Sequence, residues 1–231
     1  MSVPRAVLME LEGVLLETRE PRRQALLRAL ADDGIALNAL DYDDVAHGLP
    51  VRGAVRAALA AVDEPMDATG AELLALRAER YFADSLATGI LLTDGAREVL
   101  AGLHAVARLG LVTRAGRREV EPVLDAAEAS FLFECIVTAD DVPDHAKPDP
   151  ASYLSAIGRL ERRRPIAAQE AIALEDGRAG IRSAHGAGLR CLAVGDVPAF
   201  RALDADGYLP TLRGVTLEAL DALSGGRRAG G

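Results

Sequence analysis

The chain of 231 residues has no tryptophan, four tyrosines and four phenylalanines, 3% aromatics in all. A core without large rings must be filled by alanine, leucine and valine, and a hydrophobic content of 50% can supply that. Only two cysteines occur, Cys135 and Cys191, each inside an apolar run. So few exclude a disulfide-framed fold and point to buried free thiols in a reducing compartment. Positive charge is also short: 26 Lys and Arg stand against 35 Asp and Glu, a net charge of −9. That balance argues against a generic nucleic-acid or membrane-surface binder. No apolar run approaches the ~20 residues of a membrane span. No charged-then-apolar leader precedes the first strand pattern, which begins near Arg5. The expectation is a cytoplasmic protein. Four histidines, at 47, 104, 145 and 185, lack metal-like spacing.

What is present has two rhythms. Ala6 to Met9 reads as a short buried strand. From about Glu20 to Thr88 every pattern is helical: a stripe in Gln24 to Leu30 stopped by Gly34, a short helix over Asp41 to His47, another over Val51 to Val62, and a long one from Asp67 to about Leu86. After Asp94 helix and strand alternate. Strands are expected at 109–113, 135–138, 171–174 and 190–194, with a weak last one at Tyr208-Leu209. Short apolar strands alternating with helices predict a parallel sheet covered on both faces. The predicted fold class is α/β, a Rossmann-like parallel sheet with an inserted helical cap. Its domains are a core over 1–16 and 90–223, a cap over 17–89, and a flexible glycine-rich tail over 224–231.

The first strand runs into Glu10-Leu11-Glu12-Gly13. Two carboxylates at i and i+2 project on one side of a strand, and Gly13 lets the chain turn away. The other strands also end in polar residues: Thr113 then Arg114, the segment Lys147-Pro148-Asp149-Pro150, and Glu175-Asp176-Gly177. In a parallel sheet these ends share one edge, where ligands bind. Four carboxylates gathered there repel each other unless cations neutralise them. Lys147 is one cation, and Mg²⁺, a hard ion that takes oxygen ligands, suits the remainder. The partner would then be an anion, most simply a phosphate held by metal, Lys147, Thr113 and backbone amides. Taken singly, each residue has a plainer reading. Thr113 and Asp176 can cap the helices that follow them, Glu175 can cap or support, and Lys147 can be a surface lysine.

The order of parts resembles the haloacid dehalogenase superfamily, in particular its β-phosphoglucomutase-like and phosphoglycolate-phosphatase-like members with a helical cap. The resemblance runs from about residue 5 to 223. Glu10-Leu11-Glu12-Gly13-Val14-Leu15 stands where that family has Asp-x-Asp-Gly-x-Leu, Leu111-Val112-Thr113 matches the second motif, Lys147-Pro148-Asp149-Pro150 the third, and Leu174 to Gly180 the fourth. The resemblance implies a nucleophile at Glu10, a general acid/base at Glu12, and phosphate held by Thr113 and Lys147. It implies Mg²⁺ at Glu10, Glu12 and Asp176, with support from Glu175. Gly48-Leu49-Pro50-Val51-Arg52 resembles the cap segment that lends a basic residue, here Arg52, to substrate phosphate; a solvated helix start is the other reading of Arg52. Arg114 has no counterpart in the resemblance and reads as surface. The implied activity is a Mg²⁺-dependent phosphatase, ahead of a phosphomutase, on a small phosphorylated metabolite. Both family aspartates are replaced by glutamates, whose carboxylates reach about one bond, roughly 1.5 Å, further. The alternative is therefore a lapsed enzyme that binds a phosphometabolite or a protein partner without turnover.

Overall fold

The computed structural model describes residues 4–38, 41–42, 45–46, 49, 51–87, 89, 92–195 and 204–225. Of the short helix expected over 41–47, residues 41, 42 and 45 are helical; 43, 44 and 47 lie outside the described residues, as do Gly48 and Pro50. Six strands form one sheet: β1 Ala6–Met9, β2 Arg108–Val112, β3 Cys135–Val137, β4 Ala171–Glu175, β5 Arg190–Val194 and β6 Gly207–Leu209. Every pairing is parallel, in the order β3-β2-β1-β4-β5-β6. The helices between them are α4 Ala96–His104, α5 Arg117–Ala126, α6 Ala151–Glu161, α7 Arg178–Gly186 and α8 Leu217–Gly225. The α/β class and parallel sheet expected from the alternating pattern are therefore found.

The unbroken apolar runs of β1, β2, β4 and β5 are buried along their whole length, as strands covered on both faces must be. Small residues do much of the filling. One face packs Leu8, Val137, Tyr153, Leu160, Ala173, Ile181 and Cys191 into a single cluster. Both cysteines are buried and free, and burial pushes the Cys135 thiol up to about 11. Among the described residues no helix is long and apolar enough to cross a membrane.

The chain divides into two compact units, Met1–Glu17 with Leu91–Gly231, and Thr18–Ile90. The second is a helical cap inserted after β1. Its described helices are α1 Arg19–Asp32, α2 Val51–Ala61 and α3 Ala68–Ala87, and no strand lies among its described residues. It has its own core of Leu26, Leu30, Tyr42, Val55, Leu59 and Leu74. The Arg77 guanidinium on α3 donates to Asp33 just past α1, and the Tyr81 hydroxyl donates to Asp32. The tail is ordered further than expected. Helix α8 continues through Gly225, because Ser224 is buried and accepts a hydrogen bond from Arg190 at 3.0 Å.

Candidate active site

The sheet order reverses direction between β1 and β4, the place where doubly wound sheets open a crevice at their carboxyl edge. Register brings the polar strand ends together there. Met9 lies opposite Leu111 on one side and Leu174 on the other, so Glu10 follows between Val112 and Glu175. Its backbone N–H continues the ladder onto Leu174 O at 3.0 Å. The Thr113 N–H does the same onto Val137 O at 3.0 Å. The Thr113 hydroxyl then accepts the Ala115 N–H at 3.2 Å and turns the chain toward α5.

Lys147 sits at the centre, 7% exposed. Its ammonium donates to Glu10 Oε2 at 2.5 Å, Glu175 Oε1 at 2.5 Å and Val112 O at 2.9 Å. An ammonium has three donors, and all three are used. Glu10 Oε1 accepts the Leu11 N–H at 2.9 Å, so both its oxygens are held. Glu175 Oε1 also accepts the Tyr153 hydroxyl at 2.6 Å, and the Lys147 ammonium stands 5.1 Å from the Tyr153 ring centre.

Burial alone would raise the pKa of Glu10, but Lys147, with Thr113 and Arg114 behind it, holds that carboxyl below the usual range. Glu175 moves the other way: burial raises it, Glu10 adds to the rise, and Lys147 offsets only part. Burial would discharge Lys147, yet the two carboxylates keep its pKa above the ordinary value. The triad is therefore a buried lysinium shared by two glutamates.

Asp176 has no such partner. It forms no ion pair among the described residues, and burial together with Glu175 and Glu10 pushes it from 3.8 to about 7. Its position is set by the turn after β1. There the Leu15 and Leu16 N–H groups both reach back to Leu11 O at 2.9 Å, and the Gly13 N–H meets Leu16 O at 2.8 Å. Gly13 has φ +74°, and a Cβ there would collide with the Asp176 carboxylate. Only glycine lets the turn lie flat against that side chain. Glu12 lies half-buried on the same turn and bridges to Leu16.

Of the residues singled out in the sequence, Glu10, Thr113, Lys147, Glu175 and Asp176 come together, and Glu12 is on the adjoining turn. Arg52 lies in the helical unit, where Glu72 holds its guanidinium at 2.6 Å and Glu79 at 3.0 Å. Neither reading of Arg52 anticipated that double ion pair. Tyr153 was missed, although its place one turn into the helix after Lys147-Pro148-Asp149-Pro150 was a usable signal. Among the described residues no group of three His, Cys, Asp or Glu side chains is arranged to hold a metal; Glu10 and Glu175 both face Lys147. The donors are nonetheless all oxygens, and the excess negative charge at Asp176 is what a hard cation relieves.

Residues 7–194 match the family described as haloacid dehalogenase-like hydrolase. The chain belongs to that family. Validoxylamine A 7'-phosphate phosphatase of Streptomyces hygroscopicus subsp. limoneus is 30% identical over 194 residues, 81% of this chain and 84% of that protein. Phosphoglycolate phosphatase 1 of Pseudomonas aeruginosa is 32% identical over 200 residues, covering 83% and 70% of the two chains. The crystal structure of CbbY from Rhodobacter sphaeroides in complex with phosphate is similar with a TM-score of 0.82 at 26% identity, over 94% of this chain and 99% of that one.

Proposed function

We propose that the chain is a Mg²⁺-dependent phosphatase acting on a small phosphorylated metabolite, with phosphosugars and phosphoglycolate as the first classes to try. The observation that carries this reading is the convergence of Glu10, Thr113, Lys147, Glu175 and an unpaired Asp176 at one sheet edge. The relatives support the substrate class. One is a phosphatase of validoxylamine A 7'-phosphate, others are phosphoglycolate phosphatases, and a CbbY mutant has been crystallised with xylulose-(1,5)bisphosphate.

In this reading Glu10 and Glu12 replace the usual aspartates. Asp176 and Glu10 would hold Mg²⁺ with their carboxylates and Glu12 with its carbonyl, the metal neutralising phosphate charge when bound. Glu10 attacks phosphorus and carries the phosphoryl group, while Glu12 protonates the leaving oxygen and later deprotonates water. Thr113 and Lys147 hold the transferring group. Lys147 also fixes Glu10 and Glu175, and Glu175 is fixed in turn by Tyr153.

A second reading has its own observation. Both Glu10 oxygens and all three Lys147 donors are already engaged with each other and with their neighbours. A nucleophile tied in that way fits a lapsed enzyme that binds a phosphometabolite without turnover. A turnover screen of phosphorylated metabolites with and without Mg²⁺ separates the two, with Glu10→Ala as the control for contaminating phosphatase. Mg²⁺-dependent turnover abolished in Glu10→Ala supports the phosphatase. Phosphate binding with no turnover supports the second reading.

A further inference from the structure

Leu92 to Gly95 carries no residue of the site, yet it is fastened on two sides. On one side it meets the turn after β1, on which Glu12 lies. Leu16, which bridges back to Glu12, also bridges Leu92 in antiparallel sense. The Thr93 N–H donates to Leu15 O at 3.0 Å, and the Thr93 hydroxyl donates to Val14 O at 2.5 Å. Val14 is fully buried, so no water competes for that carbonyl, and a buried carbonyl left without a donor is destabilising. On the other side the Leu212 N–H and the Thr211 hydroxyl donate to Asp94 O, at 3.2 and 3.1 Å. The Arg213 guanidinium pairs with the Asp94 carboxylate at 2.6 Å. Gly95, at φ +82°, lies so close to the Arg213 backbone that a Cβ would stand 2.3 Å from its nitrogen. The segment carrying Thr93 is thus fixed from behind, and its hydroxyl holds the Glu12 turn from a set point.

We propose that Thr93 is a positioning residue for Glu12, its hydroxyl fixing through Val14 O the turn that aims the Glu12 carboxyl at the leaving oxygen. The bonds from the Gly13 N–H to Leu16 O and from the Leu15 and Leu16 N–H groups to Leu11 O give the turn its shape, but they lie within it. Leu92 and Thr93 tie it to a second segment, and Thr93 adds a side chain to that tie. The proposal rests on the phosphatase reading above, in which the Glu12 proton passes to the departing oxygen as its bond to phosphorus breaks. Thr93 acts through the turn and not on phosphate, so its effect falls on proton delivery and leaves phosphate binding alone.

Thr93→Val keeps the side-chain shape and removes the hydroxyl, while Thr93→Ser keeps the hydroxyl. Both are compared with wild type in the full chain with Mg²⁺ on two esters, the alkyl phosphate the screen identifies and p-nitrophenyl phosphate. An alkoxide needs a proton to leave and a nitrophenolate does not, and kcat/KM reports the barrier from free enzyme and ester to phosphoryl transfer. A displacement of ~1 Å costs ~10²-fold, so the smaller shift from one lost hydrogen bond should lower kcat/KM on the alkyl ester about tenfold in Thr93→Val. The nitrophenyl ester should be far less affected, and inorganic phosphate titrated calorimetrically should bind as in wild type. Thr93→Ser should recover the alkyl ester. If Thr93→Val does not fold, Thr93→Ala removes the same hydroxyl and is read in its place. An equal loss on both esters, unchanged kinetics, or a Thr93→Ser as slow as Thr93→Val would overturn the role of Thr93 and leave the phosphatase standing. A wild type that turns over no ester would overturn both.

Discussion

Replacing Glu10 and Glu12 together by aspartate should create phosphatase activity or raise it on the order of 10²-fold. Each carboxylate retreats by one C–C bond, about 1.5 Å. Glu10 Oε2 now stands 2.5 Å from Lys147 Nζ, so the same displacement opens that contact to about 4 Å if the backbone stays still. Lys147 keeps its bonds to Glu175 Oε1 and Val112 O and gains a free donor for the phosphoryl group. The carboxylate is freed from Lys147 and moves toward the position the family's aspartate would occupy. Misplacing a reacting group by ~1 Å costs ~10²-fold, which sets the expected gain. Turnover of wild type, both single variants and the double variant is measured against one phosphoester panel at fixed Mg²⁺. If wild type is active and the double variant is not, the reasoning is refuted, and glutamate is this protein's working nucleophile.

Asp176→Asn tests the uncompensated charge. The folded-state pKa is raised to about 7 from 3.8, so between those values the folded chain holds a proton that the unfolded chain has lost. Stability therefore falls as pH climbs through that window, by at most roughly 4 kcal/mol. Without Mg²⁺ the variant should melt several degrees above wild type at pH 8 and level with it at pH 4; a constant offset at both would contradict the assignment. In wild type, added Mg²⁺ should raise the melting temperature more at pH 8 than at pH 5. Tyr153→Phe removes the hydroxyl on Glu175 and leaves a buried carboxylate one donor short, a loss of about 1–3 kcal/mol in urea unfolding; an unchanged midpoint would show that hydroxyl to be dispensable. Gly13→Ala forces a Cβ into the Asp176 carboxylate at φ +74°. Helix content by circular dichroism should persist while the Mg²⁺-induced rise in melting temperature disappears, and a rise equal to that of wild type would argue against Asp176 as a ligand.

The fold was legible because its signals are local. An apolar run of strand length followed by a polar residue marks each of the inner strands, and the strand-free stretch after Glu20 marks the insert. The membership of the site was legible for a related reason, since parallel strands bring their ends to one edge whatever fills the loops. Its bonding was not. Glu10 and Lys147 are 137 residues apart, and nothing in either segment says that the longer glutamate will reach the ammonium and use it up. The Tyr153 hydroxyl finds Glu175 only once α6 lies on the sheet, and the sequence offers an aromatic there that packing alone would explain. Arg114 reads as surface because it has no counterpart in the resemblance, and the structure leaves it exposed; that its charge lowers the pKa of Glu10 and opposes the rise at Asp176 is a property of the folded edge. Arg52 reads as a substrate contact or a solvated helix start, and its partners Glu72 and Glu79 lie on another helix and meet it only once the insert has folded.

The central strand is also the first to be made. β1 leaves the ribosome before the rest of the sheet, and its two neighbours come from residues 108–112 and 171–175. At synthesis rates of about 5–20 residues per second, β1 waits on the order of ten seconds for β4. The helical unit Thr18–Ile90 is contiguous and can form its own core during that interval, since local contacts form early. Ala6–Met9, meanwhile, is a short apolar segment with both hydrogen-bonding edges unpaired. Birth and assembly of this protein thus run in opposite orders: the insert can be finished while the strand that precedes it is still open to wrong partners.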